Sequence, residues 1–595
     1  MATTELTGAE EVAWNLGDLY DGAGDAKLEA DLAEAEAGAA AFREAYRGRV
    51  GDLDAKRLAE AVAEHERIDS IGARVGTFAY LNFSTNMADP ERGALLARVQ
   101  EKGAQLQTQM LFFGLEWAAL EDGHAEELLS SRELERWSHY LRALRKFRPY
   151  LLSEPEERIV TEKSVTGSSA WSRFYGEQLS AIRVDLDGEQ LSLEQAMARM
   201  YSPDRDVRRR TAEAVTDALE PGLRTRAFAL NTILLDHATE DRLRGYATWV
   251  SARNLSNETT DEAVQALVDA TVARYGLVER YYRLKARLLG LDRLAHYDRM
   301  APLTESDAKS SWDEAREIVV DAYAGFSPTA GEIVERFFDE GWIDAPPRPD
   351  KSNGAFCATT VPGVHPYVLL NYTGEKRSIL TLAHELGHGL HGVLAQPLGL
   401  YNADTPLTTA ETASVFGEAL TFKVLLAAED DPRARLDLLT RRIEDAIATV
   451  FRQIAMNRFE ERIHTERREA GEVAPDRFAA LWLETQNAVF GDSVDTEGYG
   501  RWWSYVGHFA AVPGYVYAYA YGFLFALSIF RKWESEGEAL VEPYLDLLRA
   551  GGSKAPEELA RMVGLDLTDP AIWAAGLDAL ADEIDEAERL AAELG

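Results

Sequence analysis

The stretch Thr381-Leu382-Ala383-His384-Glu385-Leu386-Gly387-His388-Gly389-Leu390-His391 constrains this chain more than any other. On a helix of about 3.6 residues per turn, His384 and His388 stand one turn apart on one face, with Glu385 beside them. The run Ile379-Leu380-Thr381-Leu382-Ala383, with Leu386, Leu390 and Val393, gives that helix an apolar side to bury. HExxH in this setting is the pattern of a zinc peptidase. Neutral imidazoles hold Zn²⁺ without cancelling its charge, the ion brings the pKa of a water near 7, and a neighbouring carboxylate takes the proton as a carbonyl is attacked.

Two imidazoles do not complete a zinc site, so a third ligand is needed. His391 lies about 10 Å along the helix axis from His384, too far to share one ion, and is read as a supporting or core residue. A metzincin would carry Gly at 391 and His at 394; the chain has His391 and Leu394, which excludes that class. Downstream, residues 407–418 read as a second helix with Thr408 or Thr409 as N-cap and Glu411 in its first turn. Glu411 is the expected third ligand. Glu418, seven residues on and on the same face, reads either as an orienting partner for an imidazole or as a solvated charge.

The acidic balance narrows the partners. A net charge of -37 repels nucleic acid and anionic membranes and mildly favours cationic ligands. With Cys357 as the single cysteine, no internal disulfide forms. Met1-Ala2-Thr3-Thr4-Glu5-Leu6 lacks the basic-then-apolar order of a signal peptide, and a cytoplasmic location is the expectation. The segment from Phe509 to Phe530 carries no charge, but Pro513, two glycines and four tyrosines suit a protein interior better than lipid, so no membrane span is expected.

A chain of 595 residues exceeds the usual ceiling for one compact domain. Helical periodicity from about 30 to 120 indicates a helix-bundle arm. Pro149 marks a break, Asp187-Gly188 joins a hairpin over 182–191, and helices occupy most of 192–345 with interruptions near Pro221, Gly290 and Pro328. The expected division is an N-terminal arm (1–120), a subdomain with the hairpin (121–200) and a catalytic domain (201–595). After the linker at 346–354, residues 355–361 and 367–372 read as short strands. Either strand offers an edge for pairing with extended peptide, or the two form a purely structural hairpin.

A tyrosine-rich stretch adds a further group. His508, Tyr515 and Tyr519 are candidate donors to a developing oxyanion, a contribution of about 3 to 4 kcal/mol where such donors are well aimed.

In combination, HELGHGLH at 384–391, ETASVFGE at 411–418, HPYVLLNYTG at 365–374, the 508–522 segment and Trp14-Asn15-Leu16-Gly17-Asp18-Leu19-Tyr20 resemble the oligoendopeptidase F family, relatives of thimet oligopeptidase. The resemblance covers nearly the whole chain. It implies a mainly α, two-lobed enzyme with a deep channel and a small sheet beside the HExxH helix. It implies one zinc held by His384, His388 and Glu411, Glu385 as general base, and internal cleavage of short peptides. It also implies that His508 and a tyrosine of 515–521 stabilise the oxyanion, Tyr515 and Tyr519 matching the family spacing best and Tyr517 remaining open. Gly514 stands where relatives often carry an aromatic residue. The rivals are a zinc carboxypeptidase of similar helical fold and a non-catalytic peptide-binding scaffold.

Overall fold

In the computed structural model the described residues are 6–303 and 309–594, the side chains at 154, 158 and 161 excepted; Met1–Glu5 of the N-terminal reading lie outside them. The chain divides into two compact units, each assembled from three separate segments. The first unit comprises Met1–Arg148, Asp307–Ala428 and Lys532–Leu565; the second comprises Pro149–Ser306, Glu429–Arg531 and Asp566–Gly595.

The first unit opens with three long helices, α1 (Ala26–Tyr46), α2 (Ala55–Ser84) and α3 (Pro90–Ala119). Each starts at an aspartate, Asp25, Asp54 or Asp89, whose carboxylate accepts first-turn N–H groups that would otherwise lack partners. Their apolar faces meet around Phe42, Ile68, Met110, Phe113 and Trp117, all buried. A second cluster joins Tyr20, Phe78 and Val99 to Val361, Val364 and Tyr367, which ties this arm to a small sheet.

That sheet has three strands, β1 (Ile343–Asp344), β2 (Phe356–Ala358) and β3 (Tyr367–Leu369), in the order β1-β3-β2. β2 runs antiparallel to β3 with Cys357 opposite Val368, so β2 keeps one edge without a strand partner among the described residues. Helix α4 (Lys376–Ala395) packs on β2 and β3 and carries the HExxH sequence. Helix α5 (Thr412–Ala428) packs along α4. The mainly α architecture with a small sheet against the HExxH helix agrees with the sequence expectation.

The second unit contains the expected hairpin, Arg183–Leu186 with Glu189–Ser192, turned by Asp187 and Gly188 at φ 56° and 87°. Two successive positive φ values define the tight turn that Asp-Gly favours. The uncharged run from Phe509 is interrupted at Gly514 and then forms the helix Tyr517–Glu536, whose residues 520–530 are all buried. Among the described residues no helix is long and apolar enough to cross a membrane.

Candidate active site

Two glycines let α4 approach its neighbours. A Cβ on Gly387 would fall 2.4 Å from the Ala413 carbonyl oxygen and 2.6 Å from the Ser414 Cα, so backbone meets backbone where α4 crosses the start of α5. A Cβ on Gly389 would strike the Phe337 ring at 2.4 Å. Only glycine permits such contact. The buried Tyr323 hydroxyl lies over Gly417 and donates to the Ala383 carbonyl at 2.7 Å, which fixes the backbone just before His384.

This approach places Glu411 against the two histidines. His384 Nε2 lies 3.2 Å and His388 Nε2 3.5 Å from Glu411 Oε2, and one ligand atom from each of the three residues falls within 4.8 Å of the others. Ligands bonded at about 2.0–2.1 Å in a tetrahedron stand about 3.3 Å apart, so the two imidazole–carboxylate separations match a zinc ion and the donor set, two imidazoles and one carboxylate, fits its chemistry. The expected helix over 407–418 is in fact two helices. Leu407–Ala410 is a single turn, Glu411 occupies the joint at φ -85°, ψ 2°, and α5 begins at Thr412. Glu411 is therefore not in a first turn, and neither Thr408 nor Thr409 is the N-cap, a position taken by Pro406.

Supporting groups surround the three. Glu418 Oε2 accepts from His384 Nδ1 at 3.2 Å, which decides its open reading in favour of an orienting partner and leaves Nε2 facing Glu411. The Ser414 hydroxyl donates to Glu411 Oε2 at 2.6 Å. Burial opposes charge on His384, but hydrogen bonds with Glu411 and Glu418 outweigh it and hold this imidazole well above its usual pKa. Burial likewise opposes charge on Glu411, yet His384, His388 and Ser414 bring it down to about 2. Burial pushes His388 down to about 4. His391 is buried, with Nε2 lacking a partner, and belongs to the core side of α4.

Glu385 is one residue along from His384 and 7% exposed. Burial, aided by the nearby Glu411 carboxylate, raises its pKa to about 7 against the pull of His384 and of the Cys357 backbone amide. Its carboxyl thus sits beside the free-edge strand β2.

His508, Tyr515 and Tyr519 come together in the second unit. Tyr519 lies in the first turn of Tyr517–Glu536, with its hydroxyl 3.5 Å from His508 Nε2, while Tyr515 precedes the helix with its ring 5.0 Å from that of Tyr519. Tyr517, between them, points inward and accepts from Asn257 Nδ2 at 2.9 Å. Burial and Arg452 lower the His508 pKa. Gly514 turns the chain into this group at φ 74°, and its N–H donates to the buried Glu460 at 2.9 Å. Burial raises Glu460 to about 8, and its Oε2 has no hydrogen-bond partner.

Sequence reasoning missed Tyr323, Ser414 and Glu460. Ser414 had a local signal, a hydroxyl three residues after Glu411; the other two are brought in from distant segments and had none.

The profile of peptidase family M3 matches residues 198–579, and that described as Oligopeptidase F matches 116–183. Oligopeptidase PepF of Bacillus subtilis is 28% identical over 92% of this chain and 82% of its own length. The group B oligopeptidase PepB of Streptococcus agalactiae is 26% identical over 80% of each. A crystal structure from Chlamydophila abortus superposes with TM-score 0.86 at 23% identity, covering 97% of this chain and 98% of the other. Oligoendopeptidase-F from Enterococcus faecium superposes at 0.71 and 22%, covering 95% and 97%. These two structures share the fold. Because the first profile spans more than half of the sequence and brings the HExxH helix with it, the chain belongs to peptidase family M3, a family of metallopeptidases.

Proposed function

We propose that this protein is a zinc-dependent oligoendopeptidase that hydrolyses internal bonds of short peptides. The observation that carries the reading is the meeting of His384, His388 and Glu411, with one ligand atom of each within 4.8 Å of the others, beside the buried Glu385. A zinc ion bound there would supply Lewis acidity toward a peptide carbonyl and lower the pKa of a water. Glu385 takes a proton from the attacking water and returns it to the leaving amine. A carboxyl titrating near neutrality is suited to both steps. With zinc bound, Glu418 would hold the Nδ1 proton of His384 and leave Nε2 for the ion, and Ser414 aims the Glu411 carboxylate. The free edge of β2 pairs with extended peptide backbone beside Glu385. His508 with Tyr515 or Tyr519 donates to the developing oxyanion; among these Tyr519 is the one whose hydroxyl approaches His508. The names of relatives, Oligopeptidase PepF among them, support the choice of short peptides as substrates.

The test uses an internally quenched peptide and mass analysis of its products. Cleavage at an internal bond, lost on chelation and restored by stoichiometric zinc, is the expected result. Trimming of single C-terminal residues, or turnover indifferent to the chelator, would overturn the proposal.

A further inference from the structure

A cavity of about 370 Å³ opens in the first unit where α2, α4 and the chain beyond β2 converge. Gly392 forms one wall, a turn beyond His388 and about 6 Å along the axis of α4. Thr359 and Thr360, which continue the edge strand β2, form another, and Thr77 of α2 a third. The far wall is Tyr401 and Asp404. Its volume falls at the low end of ligand pockets, enough for one long side chain.

Asp404 alone among the lining residues is charged. It is exposed, accepts only the Thr405 N–H at 3.1 Å, and has no Lys, Arg or His partner among the described residues. Tyr401 offers it no competition, because its hydroxyl donates to Asp69 at 2.6 Å. Arg136 is also engaged, by Glu66 at 3.4 Å. The segment carrying Asp404 is held rigidly. Gly399, at φ 86°, lies so close to Arg136 that a Cβ would strike the guanidinium, the Asn402 carboxamide donates to the Arg136 carbonyl at 2.6 Å, and the Gly552 N–H donates to the Asn402 carbonyl at 2.8 Å. A fixed, unpaired carboxylate in an otherwise neutral cavity is a cation-selecting arrangement.

We propose that this cavity is a side-chain subsite in which Asp404 selects a lysine or arginine of a peptide lying along β2. The inference rests on the oligopeptidase reading above. Although Asp404 is open to solvent, the cavity walls crowd its carboxyl, partly desolvate it and raise its pKa, a cost that an incoming ammonium or guanidinium offsets.

The experiment compares the zinc-loaded wild type, Asp404→Asn and Asp404→Glu on quenched peptides in which a single Lys, Arg or Gln is moved through each position around the cleaved bond. The wild type is expected to prefer the basic residue at one position by about ten-fold or more in kcat/KM. Asp404→Asn collapses that ratio to within about two-fold of unity, whereas Asp404→Glu retains a basic preference; thermal midpoints taken alongside show whether each variant is folded. A wild type that cleaves the whole set without a basic preference removes the subsite and leaves the peptidase reading standing. The same ratio in Asp404→Asn as in wild type also removes it. Absence of any cleavage by the wild type removes both.

Discussion

Glu385 and Glu460 are both buried carboxyls with raised pKa values, and they call for different experiments. Glu385 is not among the three converging ligands, so Glu385→Gln should keep zinc at one per chain while kcat falls by about 10² to 10⁴-fold, the range for loss of a general base. Metal analysis beside turnover checks this, and near-normal turnover would remove Glu385 from the role. Glu460 touches no candidate ligand and bears on stability. Its pKa of about 8 in the folded protein against 4.5 as the ordinary value means that the folded state keeps a proton the unfolded chain releases. The stability that this proton contributes is complete below pH 4.5 and is lost as pH rises toward 8. Glu460→Gln preserves an acceptor for the Gly514 N–H and does not titrate. It should therefore be more stable than wild type by on the order of 3 kcal/mol at pH 7, with the two converging below pH 4.5. Denaturant melts at several pH values read the difference directly, and parallel curves would refute it. Neither carboxyl was equally visible beforehand. Glu385 is legible because its significance is a local spacing, whereas Glu460 acquires its partner only when residues 54 positions apart fold together.

At the scale of elements, the α4–α5 contact decides the geometry of the candidate metal centre. Adding one methyl group at Gly387 sets a carbon against backbone, which cannot rotate away as a side chain can. Gly387→Ala should cost about 1 to 3 kcal/mol through overpacking and weaken zinc binding by separating Glu411 from the histidines. Thermal unfolding together with zinc titration tests it; unchanged affinity would show that the close approach does not set the ligand spacing. The same contact explains why the helix joint at Glu411 was illegible. Thr408-Thr409-Ala410-Glu411-Thr412-Ala413 contains no proline or glycine to end a helix, so local propensity predicts continuity. The break occurs where Ala413 and Ser414 press on α4. The hairpin at 183–192, by contrast, was readable because Asp187 and Gly188 dictate the turn without outside help.

For the whole molecule, charge and connectivity matter more than any one contact. Acidic residues number 100 against 63 basic ones, and ion pairs cannot neutralise the surplus. Self-repulsion between exposed carboxylates is screened by salt, so the thermal midpoint should rise by several degrees between 10 mM and 500 mM NaCl. A midpoint that falls would mean that the ion pairs dominate. The sign of the charge was plain from composition, but the interleaving of two units was not, since hydrophobic periodicity reports which residues are buried and not which distant segments they are buried with. That interleaving carries a consequence for biosynthesis. The HExxH helix emerges from the ribosome well before Tyr544, whose buried hydroxyl donates at 3.1 Å to the Thr412 carbonyl where α5 begins. A nascent chain halted before residue 532 has His384, His388 and Glu411 but lacks the last segment of their unit, so a chain truncated there should bind zinc more weakly than the full chain.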